Sequence, residues 1–337
     1  MNPYWTNPCG ELYRGDVLDV LSQLPEQSVH TCITSPPYWG LRDYGTEGQI
    51  GLEKTPQEYV VKMVDVFRTV RRLLRDDGTC WVNMGDSYWG GKGSNNLRWS
   101  QGNTDRDTLS GEQHNILARP QDGKHETLKP KDLCGIPWRV AFALQDDGWY
   151  LRSDIIWNKP NPMPESVTDR PTKAHEYIFL LSKNQKYYYD AEAIKEPQSP
   201  HTLKAFKNGV IPRGPKSVNN PTNIKQGITK QAMTEGKIWQ ADVGGRNKRT
   251  VWTVATKPYS EAHFATFPPD LIKPCVLAGC PVQGVVLDPF MGSGTTAIVA
   301  QQNDRRWVGV ELSLEYCDLA KKRITKEAGQ YSQMQLI

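Results

Sequence analysis

Apolar residues recur along this chain with two different periods. Val17, Val20, Leu21 and Leu24 fall on one face of a helix. So do Tyr59, Val60, Met63, Val64, Phe67, Val70 and Leu74, in a run opened by Pro56. These spacings predict helices over 17–24 and 56–74, and similar patterns predict others near 137–145 and over 268–277, 295–302 and 314–328. Between them stand short strand-like runs at 12–16, 29–34, 79–84, 150–157, 174–182, 285–288 and 306–311. Tyr177-Ile178-Phe179-Leu180-Leu181 is apolar without alternation, which implies a strand buried on both faces. Strand and helix alternate through short turns, so the expected fold is α/β, with a mainly parallel, doubly wound sheet.

Two stretches break the pattern. Residues 86–130 are rich in Gly, Ser, Asn, Asp and Gln and read as a long mobile insertion. Residues 191–255 are irregular and basic, with Gly, Pro and Asn among scattered aromatics. The net charge of the 337 residues is only +4, but Lys and Arg gather between 195 and 257. That segment suits phosphate contacts and base-edge reading, and it equally suits a solvated loop. No apolar run approaches the ~20 residues of a membrane helix, and the N-terminus lacks the regions of a signal peptide. The seven cysteines form no zinc-spaced cluster, so no metal site is expected and reduced thiols in a cytoplasmic protein are the default.

Candidate chemistry sits at two strand ends. After the apolar run Val29–Ile33 comes Thr34-Ser35-Pro36-Pro37-Tyr38-Trp39. Consecutive prolines end a strand and leave backbone carbonyls without partners. Beside them stand the small acceptor Ser35 and two aromatic faces, Tyr38 and Trp39, a setting for the planar amine of a nucleobase. A surface Pro-Pro turn fits the same hexapeptide. The second constellation is Val285-Val286-Leu287-Asp288-Pro289-Phe290-Met291-Gly292-Ser293-Gly294-Thr295-Thr296: a buried strand, a glycine turn and a helix start. The strand after it ends at Glu311, near the ~20-residue offset at which an acid grips ribose hydroxyls. The turn is neither a dinucleotide GxGxxG nor a P-loop, and Asp288 would repel a pyrophosphate. A ligand with a ribose and a cationic or zwitterionic tail, such as S-adenosyl-L-methionine, fits better.

These two segments resemble the amino-group DNA methyltransferases, which methylate N4 of cytosine or N6 of adenine. The Ser35–Tyr38 segment looks like their catalytic motif and Asp288–Thr296 like their cofactor loop. Their order resembles the permuted "beta" arrangement of the family. Gly15-Asp16, Arg170–Leu181 and His263–Pro268 agree with it, whereas 86–130 and 191–255 lie outside the resemblance. It implies a Rossmann-like S-adenosylmethionine-dependent methyltransferase fold. Residues 1–190 would form the catalytic half, 191–255 a DNA target-recognition region and 256–337 the cofactor-binding half. Ser35, Pro36, Pro37 and Tyr38 would act on the base. Asp16, Phe267, Asp288, Phe290, Gly292, Ser293, Gly294, Thr295 and Glu311 would hold the cofactor. Asp16 also fits a helix cap and Phe290 simple packing; His263 receives no chemical role. Ser35 is commoner in cytosine-N4 members, so cytosine is favoured over adenine. Arg213, Asn219, Asn220, Gln226, Arg246 and Arg249 are candidate base-edge readers. The implied partner is double-stranded DNA; a separate restriction endonuclease and a homodimer are compatible with the chain. The rivals are an RNA or protein amide methyltransferase, against which the motif order argues, and a non-catalytic DNA-binding relative.

Overall fold

A computed structural model describes residues 1–41, 45–90, 125–198, 245–257 and 267–334, with side chains to 327. The described residues form two units, one of 1–190 with 250–337 and one of 191–249. In the larger unit, strand β1 (Trp5–Asn7) leads to β2 (Gly10–Arg14), helix α1 (Val17–Gln23), β3 (Val29–Thr34), α2 (Pro56–Leu73) and β4 (Leu74–Met84). Then come α3 (Ile136–Asp146), β5 (Tyr150–Asn158), β6 (His175–Ser182), β7 (Val251–Thr253), α4 (Pro269–Gly279), β8 (Val285–Asp288), α5 (Thr295–Gln301), β9 (Arg306–Glu311) and α6 (Leu314–Met334).

The strands share one sheet in the order β1-β2-β9-β8-β3-β4-β6-β5-β7. Strands β2, β9, β8, β3 and β4 run parallel, and β6 is antiparallel to both β4 and β5. The mainly parallel α/β expectation therefore holds, with antiparallel pairing confined to the flanks. Helix α2 packs against both α1 and α3, and α5 packs against both α4 and α6. Strand alternation separates the layers: Cys32, Cys80 and Val82 join the core beneath α2, while a Cβ at Gly279 of α4 would strike Thr31, Thr79 and Trp81.

Local chemistry explains the element ends. Asp16 caps α1, accepting from the amides of Leu18 and Asp19. Thr55 Oγ1 caps α2 by accepting from the Glu58 amide at 3.2 Å, with Pro56 at the first turn. Strand β4 starts at Leu74, earlier than the pattern predicts, because its pairing with β3 bulges through 75–78. Strands β1 and β7, three residues each, carry too little pattern to be read from sequence. β7 pairs with β5, Ile156 opposite Val251, so 250–255 join the sheet unit, and the second unit ends at Arg249 where the sequence pattern sets a boundary at 255. Part of the expected 86–130 insertion is also structured. Trp89 is buried against Trp39, and Tyr88 bridges to Leu133; residues 91–124 lie outside the described set. No helix of the described residues is long and apolar enough to cross a membrane.

Candidate active site

The chain turns back on itself between β3 and β8. From β3 it proceeds by α2 to β4 on one side, and from β8 by α5 to β9 on the other. Such a topological switch point leaves a crevice beyond the carboxyl ends of the strands. The segment after β3 and the glycine turn after β8 meet there although some 250 residues separate them in the chain. A single cavity of about 780 Å³ runs along this crevice, within the size range of ligand sites. Its lining includes Ser35, Pro36, Pro37 and Tyr38 at one end, and Asp16, Phe267, Phe290, Gly292, Ser293, Thr295 and Glu311 at the other.

At the first end the two prolines carry the chain off the sheet. Tyr59 of α2 donates its hydroxyl to the Pro37 carbonyl at 2.9 Å, whereas the described residues offer no hydrogen-bond donor to the Pro36 carbonyl. Ser35 Oγ donates to Tyr38 Oη at 3.2 Å, and Tyr38 donates in turn to Glu176 Oε2 at 2.8 Å. Asn83 Nδ2 also reaches that oxygen at 3.2 Å. Glu176 Oε1 pairs with Lys159, whose ammonium lies 4.2 Å from the centre of the Trp157 ring. Burial, and then the charge of Glu176, push the Tyr38 phenol well above its ordinary range, so it stays a hydroxyl. The ring of Tyr38 lies so close to Gly85 that a Cβ there would come within 2.7 Å of it. Trp39, expected as a second open aromatic face, is instead 1% exposed. It stacks on Trp89 and donates its indole N–H to Glu53 O at 2.9 Å, so it belongs to the core.

At the second end Glu311 accepts from the amides of Gly292 and Ser313 at 2.8 and 2.9 Å, which fixes its carboxylate on the cavity wall. Burial raises its pKa. Gly292 adopts φ +51°, and a Cβ there would meet nothing nearer than the Phe290 carbonyl at 4.0 Å. The inner face of the turn is therefore an open cradle beside an acid, which fits the ribose and tail of S-adenosylmethionine. Ser293 and Thr295 are held from behind by Arg323 of α6. This buried guanidinium donates to Ser293 Oγ and Thr295 Oγ1, both at 2.9 Å.

Two residues expected to touch the cofactor do not line the cavity. Asp288 is 1% exposed and accepts from Thr34 Oγ1 (2.7 Å), Thr296 Oγ1 (2.6 Å) and the Phe290 amide (3.0 Å). Burial pushes its pKa to about 6 against those three donors. It ties the catalytic strand to the turn. Gly294, at φ +84°, lets α6 approach: a Cβ there would lie 3.0 Å from Ile324. Asp16 lines the cavity and also caps α1.

Glu176, Asn83, Lys159 and Arg323 escaped the sequence reading. The one available signal was Glu176, an acid at the head of a strand otherwise read as buried on both faces. Of the proposed base readers, Arg246 and Arg249 engage Glu196 within their own unit, each Nε at 3.2 Å. Arg213, Asn219, Asn220 and Gln226 lie outside the described residues, as does most of His263–Pro268.

Comparison with known proteins places this geometry. Residues 29–322 match the DNA methylase family of N6/N4 type. The chain is 47% identical to the type II methyltransferase M.Cfr9I of Citrobacter freundii over 317 residues, 94% of this chain and 88% of that one. It is 48% identical to the type II methyltransferase M.SmaI of Serratia marcescens, over 93% of this chain and 89% of that one. Among solved structures, the PvuII DNA methyltransferase (cytosine-N4-specific) aligns with a TM-score of 0.61 at 19% identity, covering 98% of this chain and 94% of that one. A Thermus thermophilus protein solved with S-adenosyl-L-methionine aligns at 0.54 and 24% identity, over 94% and 95%. These two share the fold.

Proposed function

The chain belongs to the N6/N4 DNA methylase family and is an S-adenosylmethionine-dependent DNA methyltransferase; on that premise we propose that it methylates N4 of a cytosine turned out of the duplex. The observation that carries this reading is the single cavity joining Ser35–Tyr38 to the glycine turn and Glu311. It puts amine acceptors and a cofactor cradle within one enclosure.

S-adenosylmethionine supplies an electrophilic methyl group on a sulfonium. Glu311 accepts from ribose hydroxyls, Gly292 lets the backbone approach closely, and Phe267 and Phe290 provide apolar walls. An exocyclic amine is a poor nucleophile because its lone pair is delocalised into the ring. Ser35 Oγ spends its own hydrogen on Tyr38, which leaves its lone pairs for one amine hydrogen; the Pro36 carbonyl takes the other. Two in-plane acceptors draw the nitrogen toward sp³ geometry and aim its lone pair at the methyl. Positioning of this kind supplies much of the rate in a direct transfer. The base must leave the stack to reach so enclosed a site, and the basic 191–249 unit is the natural reader of its surroundings.

Serine at the head of the motif supports cytosine, and so does the cytosine-N4 specificity of the fold relative PvuII methyltransferase. Filter binding after incubation with labelled S-adenosylmethionine and unmethylated duplex tests the activity. Label retained on DNA is the expected result. Cofactor binding without any transfer to DNA would overturn the reading.

A further inference from the structure

Methylation of an amine creates a proton that must leave. In water one is always at hand to take it; in an enclosed cavity the protein must provide the acceptor. Ser35, Tyr38 and Glu176 form an unbroken, directed chain. Ser35 Oγ–H points to Tyr38 Oη at 3.2 Å, and the Tyr38 hydroxyl has the Glu176 carboxylate at 2.8 Å as its nearer acceptor, with Asn83 Oδ1 farther off at 3.2 Å. Two chain segments supply these three groups: the turn after β3 gives the first two, and β6 gives the third. Nothing in the amine-polarising role of Ser35 requires Tyr38 to end on an acid. Glu176 is moreover oriented by Asn83 at one oxygen and Lys159 at the other, with Lys173 near enough to feel its charge.

Resting on the assignment of this cavity to amine methylation, the geometry points to Glu176 as the terminal acceptor of the amine proton, reached through Ser35 and Tyr38. The amine lone pair forms the new N–C bond, and the electrons of the broken C–S bond stay on sulfur. The base then carries a positive charge at the methylated nitrogen. The N–H electron pair returns to nitrogen as its proton passes to Ser35 Oγ. The Ser35 proton moves to Tyr38 Oη and the Tyr38 proton to Glu176, which becomes a neutral carboxylic acid. Both hydroxyls end as they began, and the methylated base leaves uncharged. Glu176 lines the same cavity, and in this path it receives charge through the two hydroxyls.

The test is single-turnover methyl transfer to unmethylated plasmid DNA by the full chain, for wild type, E176Q, E176D, Y38F and the double variant Y38F/E176Q. The unfolding midpoint and S-adenosylhomocysteine affinity are measured alongside. E176Q and Y38F are each expected to slow transfer on the order of 100-fold, the scale of a general base, with S-adenosylhomocysteine affinity unchanged. The double variant is expected to be no slower than the worse single, because each breaks the same path. E176D should recover at least tenfold over E176Q, and the solvent deuterium effect of the wild type should fall in Y38F. Y38F removes one oxygen and no packing, so it carries the test even where E176Q folds poorly. Full-rate transfer by E176Q or Y38F, or deficits that multiply in the double variant, would overturn the relay. No transfer to DNA by the wild type would instead overturn the methyltransferase assignment itself.

Discussion

Thr34 donates its hydroxyl to the buried carboxylate of Asp288 at 2.7 Å, and this bond ties the end of the strand that leads into Ser35 to the end of the strand that opens the glycine turn. The two residues lie at the facing ends of β3 and β8, the pair of parallel neighbours at the switch point. Amine acceptors and cofactor cradle are thus set against each other by a contact from which water is excluded. Replacing Thr34 by Val keeps the shape and strands one lone pair of a buried acid. The loss of a hydrogen bond to a charged group costs about 1.5–3 kcal/mol. T34V should lower the unfolding free energy by that amount in urea titration, and T34S should restore most of it.

Asp288 also confers a pH dependence. Its pKa of about 6 stands well above the ordinary 3.8 because the site is buried. The native state therefore keeps a proton that the unfolded chain has already released. The stability from this proton is full below about pH 4 and is lost as pH rises through about 6. A shift of about 2 units corresponds to about 3 kcal/mol. Urea titrations of D288N and wild type at pH 4, 5, 6 and 7 should diverge by that amount, with the variant gaining relative stability as pH rises. Parallel curves would contradict the assignment.

The two glycines of the turn should fail differently when changed to alanine. Gly292 and Gly294 both hold positive φ, so each substitution carries roughly 1–2 kcal/mol of backbone strain. At Gly292 the added methyl enters the open cradle. G292A should therefore weaken S-adenosylmethionine binding at least tenfold, read by calorimetric titration, with only that modest loss of stability. At Gly294 the methyl meets Ile324 and Ala320 of α6. G294A should show the larger stability loss of the two in the same denaturation experiment.

Arg323 holds the same turn from outside the cavity, through Ser293 and Thr295. R323M removes the donors while keeping much of the bulk, leaving Ser293 and Thr295 to loosen. Calorimetry should record weaker cofactor binding, and differential scanning a lower melting temperature. S-adenosylmethionine affinity equal to wild type would show that the turn holds its shape unaided.

Much of this site can be read from the chain because its chemistry is local. Two prolines after an apolar run mark the end of β3, and glycines between a buried strand and a helix start mark the cradle. The switch point follows from the order of the segments. Asp288 differs from its sequence expectation for a physical reason. An acid at the end of a buried strand looks like a ligand contact until its three donors are seen, and one of them, Thr34, is 254 residues away. Glu176, Asn83 and Lys159 converge only through the antiparallel register that sets Asn83 opposite Ile178 and Trp157 opposite Glu176. No spacing in the sequence encodes that pairing. Trp39 shows the converse: an aromatic beside a motif looks like a binding face, yet it is buried in the core against Trp89.

The measurement that bears most directly on the account is mass spectrometry of nucleosides digested from plasmid DNA treated with S-adenosylmethionine and either wild type or S35A. The account expects N4-methylcytosine from the wild type and its near-complete loss in S35A, with S-adenosylmethionine still bound by the variant. N6-methyladenine in place of N4-methylcytosine, or full methylation by S35A, would contradict it.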